Sequence, residues 1–248
     1  MEAQTSGPLF RIRNFMEPTD KAARVAGFWY LSMVLTGPFA LIYVPSKLIV
    51  RGDAAATASR ILDHQTMFRL AIAADLVGAV LFLGAALALY RLFAGVDRLR
   101  ATQLLTLVGV SAGVGFLNTL NSIAALALFR GGEFLSVFDK PQREALGMLF
   151  IRLHSQGNTI NELFWGLWLL PFGLLAIKSN FIPKFIGIWL IVNGIAYVAL
   201  SFIGLFAPQY SNTAFLYAQP ALFGELAVML WLLIRGAKPR MVPAAAAA

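Results

Sequence analysis

Six uninterrupted apolar runs, each long enough to cross a bilayer as a helix, constrain this chain more than any other feature. They cover Ala23–Ser46, Thr66–Phe93, Ala101–Phe129, Gly157–Ile177, Phe181–Phe206 and Ala214–Ile234. A hydrocarbon core about 30 Å thick needs roughly 20 apolar residues of helix to span it. Inside that core every backbone N–H and C=O must be satisfied by the chain itself, which leaves helices and closed barrels. A barrel shows segments of about 10 residues with alternating polarity, and these runs are continuous and longer. With 59% hydrophobic and 13% charged residues, the chain is also far more apolar than one water-soluble core can hide. The expected fold class is all-α: a polytopic membrane protein, a six-transmembrane-helix bundle with short helices in its outer loops.

The runs divide the chain into a cytoplasmic N-terminal segment (1–21), a single six-helix membrane domain (22–236) and a disordered C-terminal tail (237–248). The first run is too long for a signal-peptide core and has no small-residue cleavage pattern behind it, so it is expected to remain. Residues 1–21 mix Arg11, Arg13 and Lys21 with Leu9, Phe10, Ile12 and Phe15, which suits either the headgroup region or a plain tail. Of the 20 Lys and Arg residues, 12 fall on the side of the termini and 8 on the other, which favours both termini in the cytoplasm. Two outer loops are long. Residues 47–65 carry a Gly52-Asp53 turn and a short helix. Residues 130–156 carry an amphipathic stretch after Asp139-Lys140-Pro141, expected to lie on the outer surface and lead into the fourth span.

The blocks TGPFALIYVPSKLIVRGDAAATA, LALYRLF, FGLLAIKSNFIPKFIGIWLI and FGELAVMLWLLIRG resemble the six-span bacterial membrane proteins grouped as domain-of-unknown-function family 4386. The likeness extends from about Ala22 to Gly236. It implies a six-helix protein of the bacterial cytoplasmic (inner) membrane, and it implies no reaction and no catalytic residues.

Polar residues inside the spans carry the functional signal. Asp75, Asn118, Asn121, Glu162 and Glu225 fall in the outer halves or middle of their spans, with His154 at the outer rim. An ionised carboxylate near mid-membrane costs roughly 2.5–3.5 kcal/mol on insertion scales, so these groups should face protein or a wet cavity. Asn118 and Asn121 share a helix face at i, i+3, as do His154, Asn158 and Asn161 or Glu162. The expectation is an outward-facing polar pocket in which Asp75 and Glu225 belong to one connected network. The structural alternatives are interhelical hydrogen bonds for the asparagines and pairing of the carboxylates with Arg69 or Arg152.

Other chemistries find little support. There is no cysteine, so disulfides and thiolate sites are excluded. The net charge of +8 is a topology signal, with no nucleic-acid role assigned. Gly109-Val110-Ser111-Ala112-Gly113 matches G-x-S-x-G but lacks the strand-turn-helix setting of a nucleophile elbow, and glycines at i, i+4 point to close helix packing. His154 with scattered carboxylates is a poor zinc signature without HExxH, and no metal or cofactor is assigned. Trp165, Trp168 and Trp189 read as interface belt or bundle core. Pro38 and Pro171 should kink spans one and four, in positions that an inverted repeat would equate.

The leading functional reading is a sensor, binding protein or transporter that takes a small or lipid-derived ligand in the outward-facing pocket. The alternatives are a membrane-embedded hydrolase-type enzyme using His154 with carboxylates, and an accessory subunit. The expected partners are membrane lipids, that ligand, and a membrane-protein partner or second copy.

Overall fold

The computed structural model describes residues 19–237. Among these residues the chain is helical with no strand, and six helical stretches are long and apolar enough to cross a membrane: Asp20–Leu48, Gln65–Phe93, Arg98–Arg130, Lys140–Lys178, Lys184–Phe206 and Pro208–Ile234. The protein is an integral multi-pass membrane protein. The expectations for the N-terminal segment and the C-terminal tail concern residues that lie, for 1–18 and 238–248, outside the described residues; Asp20 and Lys21 already belong to the first helix.

Helix α1 (Asp20–Gly37) opens on Thr19, whose hydroxyl accepts from the Ala22 N–H at 3.1 Å. It widens into a π-helical turn over Pro38–Tyr43 before α2 (Val44–Leu48). Proline lacks the N–H that the preceding turn needs, and the wider winding is how the span absorbs the loss. After Gly52, at φ +81°, Asp53 caps α3 (Ala54–Asp63) by accepting from the Ala56 N–H. Next come α4 (Gln65–Phe93) and α5 (Arg98–Arg130), which stops at Gly131, φ +72°. A reciprocal cap between Asp139 and Gln142 starts α6 (Lys140–Leu167), followed by α7 (Leu169–Lys178), α8 (Lys184–Phe206) and α9 (Ser211–Ile234).

The fourth span differs from its expected form. The amphipathic stretch after Asp139-Lys140-Pro141 does lead into the fourth span, and from Lys140 the two are one continuous helix, so the span begins well before Gly157. Gln142, Leu146, Leu149 and Leu153 carry the helical period straight into the apolar run, and no helix-breaking residue intervenes. The break comes deeper, at Trp168, between α6 and α7. Pro171 cannot donate to the Leu167 carbonyl, which dissolves the helix there. The two prolines expected to kink their spans, Pro38 and Pro171, thus both stand beside a local departure from α-helical winding.

The spans pack in a ring: α1 on α4, α4 on α5, α5 on α6, α6 on α8, α8 on α9, and α9 back on α1, with α3 against α6. Two apolar clusters fill the ring. One, toward the termini, joins Tyr30, Phe82, Leu89, Phe93, Leu104, Trp168 and Phe172. The other, toward the long loops, joins Val44, Leu48, Ile61, Phe68, Phe129, Met148 and Ile151. The outer surface carries exposed Phe28, Leu35, Leu117, Phe185, Phe206 and Ile234, side chains that only lipid can accommodate in such number.

The close glycine packing expected at Gly109 and Gly113 is not found there, since a Cβ added at either meets nothing within 4 Å. The seam lies elsewhere. A Cβ at Gly194 would sit 2.7 Å from the Gly166 carbonyl oxygen, and one at Gly173 would sit 2.6 Å from that of Gly187. Both pairs are spaced by seven residues, two helical turns, so they mark one face where spans four and five touch backbone to backbone.

Candidate functional site

On α4, α5 and α6 the polar side chains fall between the two apolar clusters. On α4, Asp75 lies between Ala71 of the loop-side cluster and Phe82 of the other. On α5, Asn118 lies between Ala125 and Val108, and on α6, His154, Asn158 and Asn161 lie between Ile151 and Trp168. A polar group in the interior of a bundle must be satisfied by its neighbours or line a cavity.

The first group stitches α5 to α6. The Asn118 Nδ2 donates to the His154 carbonyl at 2.9 Å and to Asn158 Oδ1 at 3.0 Å, while Asn121 Nδ2 donates to Asn118 Oδ1 at 3.1 Å. In return His154 Nδ1 faces the Asn118 carbonyl oxygen at 3.2 Å. A carbonyl only accepts, so Nδ1 carries a proton. This leaves Nε2 facing Asn158 Nδ2 at 3.4 Å and Asp75 Oδ2 at 3.6 Å. The last distance exceeds a hydrogen bond, so the imidazole and the carboxylate oppose each other without closing. Gly157 makes this arrangement possible, because a Cβ there would overlap the Asn118 carboxamide.

The second group is built on α9. Glu225 accepts from the Tyr30 hydroxyl and, at 3.3 Å, from Asn193 Nδ2, and Tyr197 stands beside it. Both donors are neutral. Asn193 is fully buried, and its Oδ1 has no partner among the described residues. A smaller pair, Ser111 Oγ to Asn161 Oδ1 at 2.9 Å, sits between the two groups along the chain.

Two cavities join these groups. The larger, about 850 Å³, opens toward the long loops and is lined by Leu48, Phe68, Met148, Ile151, Arg51 and Arg152, among others. The smaller, about 350 Å³, lies deeper and is lined by Asn118, Asn161, Trp165, Trp168, Tyr197 and Glu225, with Ser111 and Phe82. They share Leu41, Asp75, His154 and Asn158. The His154–Asp75 contact is therefore the neck between an outer vestibule and an inner chamber.

The sequence expectations are corrected in three respects. The carboxylates pair with neither Arg69 nor Arg152, because Asp75 faces His154 and Glu225 faces two tyrosines and an asparagine. Asp75 and Glu225 do not belong to one hydrogen-bonded network; they line one cavity as members of separate groups. His154 sits at the neck, below the rim expected for it. Asn121 reaches the cavity only through Asn118, and Glu162 lines neither cavity, lying near Tyr197 instead. Sequence reasoning passed over Tyr30, Asn193 and Tyr197. Asn193 had a readable signal, as a lone amide in the middle of an otherwise apolar span.

The geometry offers little for nucleophilic or metal chemistry. Ser111 is buried and its hydroxyl is committed to Asn161. Among the described residues no group of three or more His, Asp or Glu is placed to hold a metal ion. Fold and site together define a polytopic helical membrane protein with a polar chamber inside its bundle. The family described as "Domain of unknown function (DUF4386)" matches residues 25–236, and the chain belongs to that family. No curated protein and no solved structure matches the chain.

Proposed function

We propose that the protein binds a small or lipid-derived ligand in the inner chamber, as a sensor, binding protein or transporter. In this reading it sits in the bacterial cytoplasmic membrane with both termini cytoplasmic, so that the vestibule opens outward, and Asp75, Asn118, His154 and Glu225 form the ligand site, with Asn121 and Glu162 behind it. One observation carries the reading: a loop-side vestibule and an inner chamber meet at Asp75, His154 and Asn158, and the chamber ends on the carboxylate of Glu225. Structural hydrogen bonds alone require no such space. A well-packed bundle of this composition would close it with apolar side chains, and chambers of roughly 300–1,000 Å³ with a few convergent polar groups are the usual form of a ligand site.

The test is mass spectrometry of protein extracted with its native lipids, comparing the parent with Glu225→Gln and Asp75→Asn. A co-purifying molecule retained by the parent and lost from both variants, with thermal midpoints within a few degrees of the parent, is the expected result. Identical retained molecules in all three proteins would overturn the reading and favour an accessory subunit. The enzymatic alternative has the His154–Asp75 pair in its favour, but among the described residues no hydroxyl hydrogen-bonds to either member of it.

A further inference from the structure

We propose that the inner chamber takes the head of a membrane-borne organic amine: a protonated amine on an apolar body, its cation against Glu225 and the rings beside it, its apolar part directed between spans one and six. The inference rests on the chamber binding a ligand and names the class of that ligand.

Charge is the first argument. The chamber is lined by two carboxylates, Asp75 and Glu225, and by no Lys or Arg; Arg51 and Arg152 line only the vestibule. Asp75 has His154 opposite it, whereas Glu225 receives only neutral donors. An anionic ligand entering this low-dielectric space meets like charge, and a cationic one supplies the countercharge that no side chain provides.

The second argument is the wall. Trp165 and Tyr197 meet edge to face with centroids 6.1 Å apart, and Trp168 meets Phe82 in the same way at 5.3 Å. All four rings line the chamber, and Tyr197 also contacts Glu225. Aromatic faces beside a carboxylate are the arrangement that holds a desolvated ammonium group, since the ring quadrupole attracts it without a hydrogen bond.

The third argument is the edge. Spans one and six pack closely on the side of the termini, where a Cβ on Gly27 would come within 2.8 Å of Leu233. Farther along, the chamber is bordered by Pro38 and Leu41 of span one and by Leu222 and Leu226 of span six. Pro38 opens the π-helical turn of span one, and Pro220 lies inside the helix of span six, where it removes one backbone donor. Leu41 and Leu226 are 40% and 39% exposed, an apolar border facing the bilayer. A ligand with a polar head alone has no use for it.

The experiment measures equilibrium binding to the parent in lipid nanodiscs by tryptophan fluorescence and calorimetry, with four probes: dodecylamine, dodecyltrimethylammonium, dodecanoate and butylamine. Both long cations are expected to bind and dodecanoate to bind at least tenfold more weakly. Glu225→Gln should weaken dodecylamine at least tenfold, and Trp165→Leu at least threefold, while Trp165→Phe stays near the parent. The second variant, on a different helix, keeps the test decisive if Glu225→Gln fails to fold. Dodecanoate binding as tightly as dodecylamine, or dodecylamine binding unchanged in both Glu225→Gln and Trp165→Leu, overturns the proposal. Butylamine binding as well as dodecylamine overturns its membrane-borne part, because a water-soluble amine then suffices. If a native ligand depends on Glu225 yet carries no amine, the ligand class fails and the binding site stands. If no native ligand and no probe binds, both fail.

Discussion

Gly157→Ala is the sharpest perturbation of the polar layer, because it adds one methyl group at the point where α5 and α6 are stitched together. The added Cβ would lie 2.8 Å from Asn118 Nδ2 and closer still to the rest of that carboxamide. The carboxamide must leave, and three hydrogen bonds go with it: to the His154 carbonyl, to Asn158 and from Asn121. At about 0.6 kcal/mol each within a bilayer, the loss is about 2 kcal/mol. Replacing glycine by alanine inside a helix returns about 1 kcal/mol. The expected net effect is a destabilisation of about 1 kcal/mol, or a fall of about 2–4 °C in thermal midpoint. The decisive measurement is the double-mutant cycle with Asn118→Ala, which removes the three atoms nearest to the added methyl. In that background Gly157→Ala should raise the midpoint instead, giving a coupling of about 2 kcal/mol. An equal destabilisation in both backgrounds would refute the reasoning, since the clash would then lie with something other than Asn118.

Gly166→Ala should be worse than Gly157→Ala, by about 2–3 kcal/mol, because the added Cβ meets the backbone of Gly194 and Val198, which no rotamer change can clear. Gly113→Ala meets nothing and should match or exceed the parent in the same melting assay, by up to about 1 kcal/mol. Asp97, in the turn between α4 and α5, is held down to about 2 by the Lys178 ammonium at 2.8 Å and by the backbone and side chain of Arg100. A carboxylate depressed in the folded state stabilises above its unfolded value of about 3.9 and loses that contribution as pH falls toward 2. Melts from pH 7 to pH 2 should therefore show Asp97→Asn below the parent at the upper end and converging with it at the lower, and a constant gap would count against the ion pair. Single cysteines at Ala55 and Ser136, both exposed on the loop side, should react with an impermeant thiol reagent from outside the cell, and labelling only from the cytoplasmic side would reverse the orientation.

The fold was legible because the bilayer imposes a length and a polarity that a sequence displays directly. Five of the six expected spans lie within observed ones, the fifth starting three residues before its helix at Lys184, and the two prolines expected to bend helices stand beside departures from α-helical winding. The misjudged element was the fourth span. Its first turns, from Lys140 to about Leu153, are amphipathic and stand before the apolar run, and composition alone cannot distinguish a surface helix from the protruding end of a spanning one. The difference rests on whether α3 and the loop-side cluster are there to receive Met148 and Ile151, which depends on contacts between segments far apart in the chain. The glycine seam was missed for a related reason. Small residues at i, i+4 in span three and at i, i+7 in spans four and five are equally visible in sequence, but only the second set has another helix lying across it.

The site was legible one residue at a time and illegible in its pairings. Asp75, Asn118, His154 and Glu225 stand out because each is costly in hydrocarbon, and all four line the cavities. Their partners do not stand out. Tyr30 and Tyr197 pass for the aromatic residues that any span contains, and whether the Tyr30 hydroxyl of span one reaches a carboxylate on span six depends on the order of spans around the ring. That order also decides the electrostatics. With span six closing on span one, Glu225 meets Tyr30, and with span five beside it, it meets Asn193 and Tyr197; no Arg or Lys is carried by any helix at that depth. The carboxylate is thus left with hydrogen-bond donors and no countercharge, at the end of a chamber whose remaining walls are aromatic. Glutamine would offer one accepting oxygen and one NH2, so it could accept from only one of Tyr30 and Asn193, whereas the carboxyl group accepts from both. An ionisable group with no basic partner among the described residues, beside space that the bundle leaves unfilled, is the strongest physical reason to expect a ligand.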